Sequence, residues 1–246
     1  MEENIRKNAP EYMFETVEKI GKRHLIKSVI NLLIAFFLMF ASIGCIQAFT
    51  ELFKPIIEFS QGEIIYLAAG FAIYFPLHFL FRKHIIFHIF GHELTHALWA
   101  MLFGARVEEF YASQRAGGFV TYTRENFLIL LAPYFFPLYA ICFNFLYHVS
   151  KSPYDKIFLF LTGFSLGFHL LLTMWSIKVG QTDIKRTGII FSLSFIFLMN
   201  VLVYGMLICS VQENQTVIGF LDSAFRNTME NGKIIFNAVV ARARFI

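Results

Sequence analysis

His92, Glu93 and His96 form a His-Glu-x-x-His run, a spacing that specifies a chemistry. On an α-helix, positions i and i+4 project from nearly the same face. The two imidazoles can therefore hold one zinc ion while Glu93 stands beside it as a general base. The flanks are unusual for such a site. His84-Ile-Ile-Phe-His88-Ile-Phe-Gly91 precedes it and Ala97-Leu-Trp-Ala-Met-Leu-Phe103 follows, so the motif lies in a segment that reads as a membrane span. An ionisable side chain at mid-bilayer costs about 2.5–3.5 kcal/mol on insertion scales, so a Glu with several His there needs a function. Zinc-dependent hydrolysis within the membrane supplies one.

A catalytic zinc site has three protein ligands and an open position for water. His92 and His96 supply two, and the third comes from another element. Asp183 lies in Gly180-Gln-Thr-Asp183-Ile-Lys-Arg-Thr-Gly188, a polar interruption between two apolar runs. On spacing alone, a solvated loop acid beside Lys185 and Arg186 is the stronger reading of it. His169, in the middle of an apolar run, is the rival: a ligand, a hydrogen-bond partner of a ligand, or a donor to the reacting carbonyl. A histidine there is expensive unless paired, so it faces the bundle interior. His84 and His88 continue the four-residue spacing, but each step of four turns the helix by about 40°, so the row drifts off one face. His88 is expected to pack.

The elements that must position these residues follow from composition. The 246 residues are 57% hydrophobic and 15% charged. A soluble domain is nearer a quarter charged, so the chain reads as an integral, multi-pass membrane protein with the lipid bilayer around it. A net charge of +4 gives no reason to expect a nucleic-acid partner. Cys45, Cys142 and Cys209 all fall in apolar runs, as packed thiols do. The expected fold class is all-α and polytopic, with about six transmembrane helices at 28–50, 62–81, 84–104, 126–148, 155–177 and 187–210. Residues 1–27 form a charged head, and 28–50 a retained anchor. Residues 211–246 form an amphipathic tail, read as a partly ordered terminus or as two short helices on the membrane surface. Between the third and fourth spans, 105–125 carries two β-branched and aromatic runs around Gly117-Gly118, which read about equally as a small β-hairpin or as an ordinary exposed loop. Of the 21 lysines and arginines, most fall on the N-terminal side of such a bundle, which favours a cytoplasmic N-terminus.

His92-Glu-Leu-Thr-His96 followed by Gly104-Ala-Arg-Val107-Glu-Glu-Phe110 resembles the site-2 protease family of intramembrane zinc metalloproteases. In that family the HExxH helix leads through a Gly, a Val and a Phe at this spacing into a membrane-associated hairpin. Gly117, Gly118, Phe119 and Val120 stand where the family has a glycine-bearing strand, here the expected substrate-binding edge. Ala132-Pro133-Tyr-Phe-Phe-Pro137 is similar to the family's proline-containing second core helix. The resemblance implies that 28–210 is a transmembrane metalloprotease-like domain with Zn2+ as cofactor. It also implies that Asp183 is the third ligand, since the family carries an Asp on a later core helix at a similar separation. Two departures stand out. Ile184 follows Asp183 where the family usually has Gly, and Met174-Trp-Ser-Ile-Lys-Val-Gly-Gln181 lacks the family's Asn and Pro. The donor to the reacting carbonyl oxygen is thus open between Gln181 and His169.

The expected activity is hydrolysis of a peptide bond in or near a transmembrane segment of a membrane-protein substrate. The alternative is a catalytically silent or metal-binding membrane protein of the same fold. A di-iron desaturase needs further histidine pairs than these. A prenyl-protein endopeptidase needs a Glu ligand, and Glu108, Glu109, Glu125, Glu213 and Glu230 are badly placed for it.

Overall fold

Long apolar runs fold as helices in a bilayer because a helix satisfies its own N–H and C=O groups. The structure is a computed structural model and describes residues 11–54, 62–80, 85–150, 153–212 and 215–243. Its helices are α1 (Glu11–Glu51), α2 (Gly62–Leu80), α3 (Ile85–Leu102), α4 (Phe127–Phe135), α5 (Leu138–Val149), α6 (Asp155–Val179), α7 (Thr182–Thr187), α8 (Ile189–Ser210) and α9 (Val217–Ala243). Strands β1 (Val107–Ser113) and β2 (Gly117–Tyr122) form an antiparallel hairpin between α3 and α4. The protein is therefore mostly helical with a small two-stranded hairpin.

By length and composition, three segments can cross a membrane: Ser28–Glu51, Asp155–Val179 and Ile189–Ser210. The bent pair α4–α5 makes a fourth if it is one span. That is fewer than the six expected, among the described residues. The apolar part of α2 runs only from Ile64 to Leu80. Within its 18 residues α3 carries His88, His92, Glu93 and His96, which lower its hydropathy.

Residues 126–148, expected as one span, form two helices bent by 66°. Pro137 explains the break. It has no N–H to offer the Pro133 carbonyl, and it pushes the preceding residue out of the helical region; Phe136 is extended, with φ −106° and ψ 94°. The Leu138 N–H turns to the Phe136 carbonyl (2.8 Å), which leaves the Tyr134 carbonyl free as well. Side chains from two neighbouring helices take up both groups. His169 of α6 lies with Nε2 3.2 Å from the Pro133 oxygen, and Asn200 of α8 donates Nδ2–H to the Tyr134 oxygen at 2.8 Å. An irregular backbone survives inside a packed helix bundle where such partners exist.

The charged head and the first span share one helix, since α1 is continuous from Glu11; residues 1–10 lie outside those described. The tail is one helix, α9, rather than two short ones or a loose terminus. It has a partner along α1: Phe220 and Ala224 are buried with Cys45 and Ala48, and Asn231 Nδ2 donates to Gln47 Oε1 at 2.9 Å. On the other side of the bundle α2 and α6 touch backbone to backbone. A Cβ on Gly163 would lie 1.9 Å from the Leu67 carbonyl oxygen, so only glycine permits that approach.

The hairpin pairs Phe110 with Val120, Tyr111 with Phe119 and Ala112 with Gly118, with an irregularity between Val107 and Glu109. Gly117 has φ +79°, which suits the reversal. Phe110 packs on Phe90 of α3, with ring centroids 5.7 Å apart, so the hairpin is seated on the helix that carries the His-Glu-x-x-His run.

Candidate metal centre

The 3.6-residue repeat of α3 puts His92 and His96 on one face, and their rings meet edge to face 4.9 Å apart. His96 is buried, and its Nδ1 lies 2.8 Å from the Ile129 carbonyl oxygen. A carbonyl only accepts, so Nδ1 carries the proton and the Nε2 lone pair is free for a metal. Gly180, in the left-handed conformation at φ 78°, ends α6 and sends the chain into the short helix α7. Asp183 sits in its first turn. Asp183 Oδ2 is 3.6 Å from His96 Nε2 and 3.8 Å from His92 Nε2.

These three side chains offer ligand atoms that all lie within 4.8 Å of one another. Zinc bonds of about 2.0–2.1 Å in tetrahedral geometry place ligand atoms about 3.3 Å apart. The observed separations fit that geometry with small rotations, and the donor set of two imidazoles and a carboxylate suits zinc. A carboxylate is ionised at neutral pH, so Asp183 brings the negative charge that two neutral imidazoles lack.

His92, Glu93, His96 and Asp183 line one cleft of about 460 Å³. Gly118, Phe119 and Val120 of β2 form its opposite wall, and Gln181 and Arg186 stand at its α7 side. Gly117 is in the reversal and is not part of this wall. His169 is elsewhere. Its Nε2 serves the Pro133 carbonyl and its Nδ1 accepts from the Tyr204 hydroxyl at 2.8 Å, so both ring nitrogens are used at the helix break. The structure therefore places it neither with the three converging side chains nor on the cleft. His88 Nε2 lies 3.1 Å from Ser176 Oγ, which ties α3 to α6.

Gly118 is pressed against the general-base candidate. A Cβ there would come 2.6 Å from Glu93 Cγ and 3.0 Å from Glu93 Oε1. Gly118→Ala is thus expected to swing Glu93 away while leaving the three ligands in place. Under the zinc-hydrolase chemistry that the resemblance implies, zinc content should be unchanged and cleavage of a reporter substrate should fall by about tenfold or more; equal cleavage would show that Glu93 has room to spare.

Two features escape a reading of the chain alone. Tyr134 donates its hydroxyl to Asp183 Oδ2 at 2.9 Å, with its ring edge to face against His92. A buried phenol between apolar neighbours needs a partner, and that requirement was the available signal. Arg186 pairs with Glu125 at 2.9 Å across the cleft rim, and nothing in a separation of 61 residues announces it.

A family model described as Peptidase M50B-like matches residues 64–221. No curated protein and no solved structure matches the chain. The matched region runs from α2 into the first turn of α9 and takes in both strands and every residue of the cleft. On that match the chain belongs to the M50B-like peptidases, a site-2 protease family.

Proposed function

We propose that this protein is an intramembrane zinc metalloprotease that hydrolyses a peptide bond in or near a transmembrane segment of a membrane-protein substrate. The observation that supports it most is the convergence of His92, His96 and Asp183 beside Glu93 in one cleft walled by β2. His92 and His96 through Nε2, and Asp183 through Oδ2, would hold the ion. Zinc bound there supplies Lewis acidity, which acidifies water and favours negative charge on a carbonyl oxygen. Glu93 takes the proton of the attacking water and returns it to the leaving amine. Of the two expected donors to the reacting carbonyl, Gln181 lines the cleft and His169 does not.

A helical substrate hides its peptide bonds and must be drawn out as an extended strand. β2 borders the cleft and pairs only with β1 among the described residues, so its other edge offers main-chain groups to such a strand. In the membrane, α2 and α3 cross beside the longer helices, which brings the span count to six.

The test is the metal content of detergent-purified protein, together with cleavage of a reporter carrying a transmembrane segment. About one zinc per chain, with cleavage abolished by chelator and restored by zinc, is the expected result. Stoichiometric zinc with no cleavage of any of a panel of transmembrane segments would favour a metal-binding relative. A chain without zinc would end the protease reading.

A further inference from the structure

The break at Pro137 does more than bend a span. It turns a carbonyl and a phenol of the same residue, Tyr134, toward two different partners. Its carbonyl oxygen, released from the helix ladder, accepts from Asn200 Nδ2 at 2.8 Å. Its hydroxyl donates to Asp183 Oδ2 at 2.9 Å, and this is the oxygen that faces both histidines. Tyr134 is buried and does not line the cleft, so it cannot touch a substrate.

Asn200 shows how firmly the arrangement is specified. Its Nδ2 donates to two carbonyls, Tyr134 and Ile196, both at 2.8 Å. Exchanging the amide's O and N would set oxygen against oxygen, so its orientation is determined by chemistry. The other end of the amide, Oδ1, is buried with no hydrogen-bond partner among the described residues. Leaving a buried acceptor unpaired costs about 1–3 kcal/mol, so an apolar residue would serve better here if packing were the only requirement. The compensating feature is the hold on Tyr134.

We propose that Tyr134 is a positioning residue for the metal-binding carboxylate, held in place by Asn200 from α8 and acting through its hydrogen bond to Asp183 Oδ2. This rests on the zinc site proposed above. Asp183 sits on a six-residue helix between two glycines of positive φ, Gly180 and Gly188. The phenol ties that carboxylate to the buried core of α4. Outer hydrogen-bond partners of this kind typically govern metal affinity by ten- to a hundredfold.

The experiment is zinc affinity, by competition with a chelator, for wild type, Tyr134→Phe, Asn200→Leu and the double variant, with thermal unfolding of each metal-free protein. Tyr134→Phe removes one oxygen and keeps the packing. It is expected to weaken zinc binding ten- to a hundredfold with little change in the unfolding temperature. Asn200→Leu should weaken it less, and the double variant should bind no more weakly than Tyr134→Phe, because the amide acts only through the phenol. A coupling of that form is not produced by general loosening of the fold. Zinc affinity of Tyr134→Phe within threefold of wild type would overturn the proposal, as would strictly additive losses. A wild type that binds no zinc would overturn the metalloprotease reading first and this inference with it.

Discussion

Glu93→Gln is expected to bind zinc at the wild-type stoichiometry and to cleave a reporter about 10²–10⁴ times more slowly, the range that general acid–base catalysis supplies. The substitution keeps the shape of the side chain and removes its basicity. Glu93 lines the cleft without being one of the three converging ligands, so the metal site should not notice the change. Its neighbours do not compensate. Asp183 is committed to Tyr134 and the histidines, and Glu125 is paired with Arg186 at the rim. Metal analysis and cleavage on the same preparation check both halves of the expectation. Loss of zinc in Glu93→Gln would make Glu93 a ligand, and unchanged cleavage would remove its role as base.

The second large effect concerns the ligands. His96→Ala and Asp183→Ala should each lose zinc by about a thousandfold in affinity, enough to leave purified protein essentially metal-free. Four-ligand zinc sites bind with about 10–16 kcal/mol, which puts several kcal/mol on each ligand. His169→Ala is expected to behave differently. It keeps the ligands but leaves the Pro133 carbonyl and the Tyr204 hydroxyl without their imidazole. Destabilisation of about 1–3 kcal/mol follows from the unpaired Pro133 carbonyl, since the Tyr204 hydroxyl can turn to the Leu166 oxygen at 3.4 Å, and it is read as a lower unfolding temperature at retained zinc. If instead His169→Ala lost zinc while Asp183→Ala kept it, the ligand set proposed above would be wrong.

The difference between Asp183 and His169 marks how far the chain could be read without its fold. Both are polar residues in or beside apolar runs, and each had a plausible claim on the metal. In the structure their surroundings differ: Asp183 converges with His92 and His96, whereas both ring nitrogens of His169 have partners at the helix break. The Pro133 carbonyl needs a donor because Pro137 lacks an N–H, and His169 is across the bundle at the right height to supply it. That need was latent in the Pro133–Pro137 spacing, but the donor's identity depends on how α6 packs. The bend itself was equally latent; a run of apolar residues suggested one span, and the proline within it made two helices. For α9, amphipathicity was visible, whereas its single continuous helix depended on finding Cys45 and Ala48 of α1 alongside.

What the sequence by itself determined is local. The shared face of His92 and His96 follows from helical periodicity and the membrane environment from apolar content, while the β-branched runs about Gly117-Gly118 left a hairpin and an exposed loop level. Each depends on neighbours a few residues away or on composition. The tertiary structure decided everything that joins distant positions: Asp183 against His96, Tyr134 beneath Asp183, Gly118 against Glu93, and Arg186 across to Glu125. Side-chain chemistry names the groups able to pair, but only the packing of helices against one another chooses which pairs come within bonding distance.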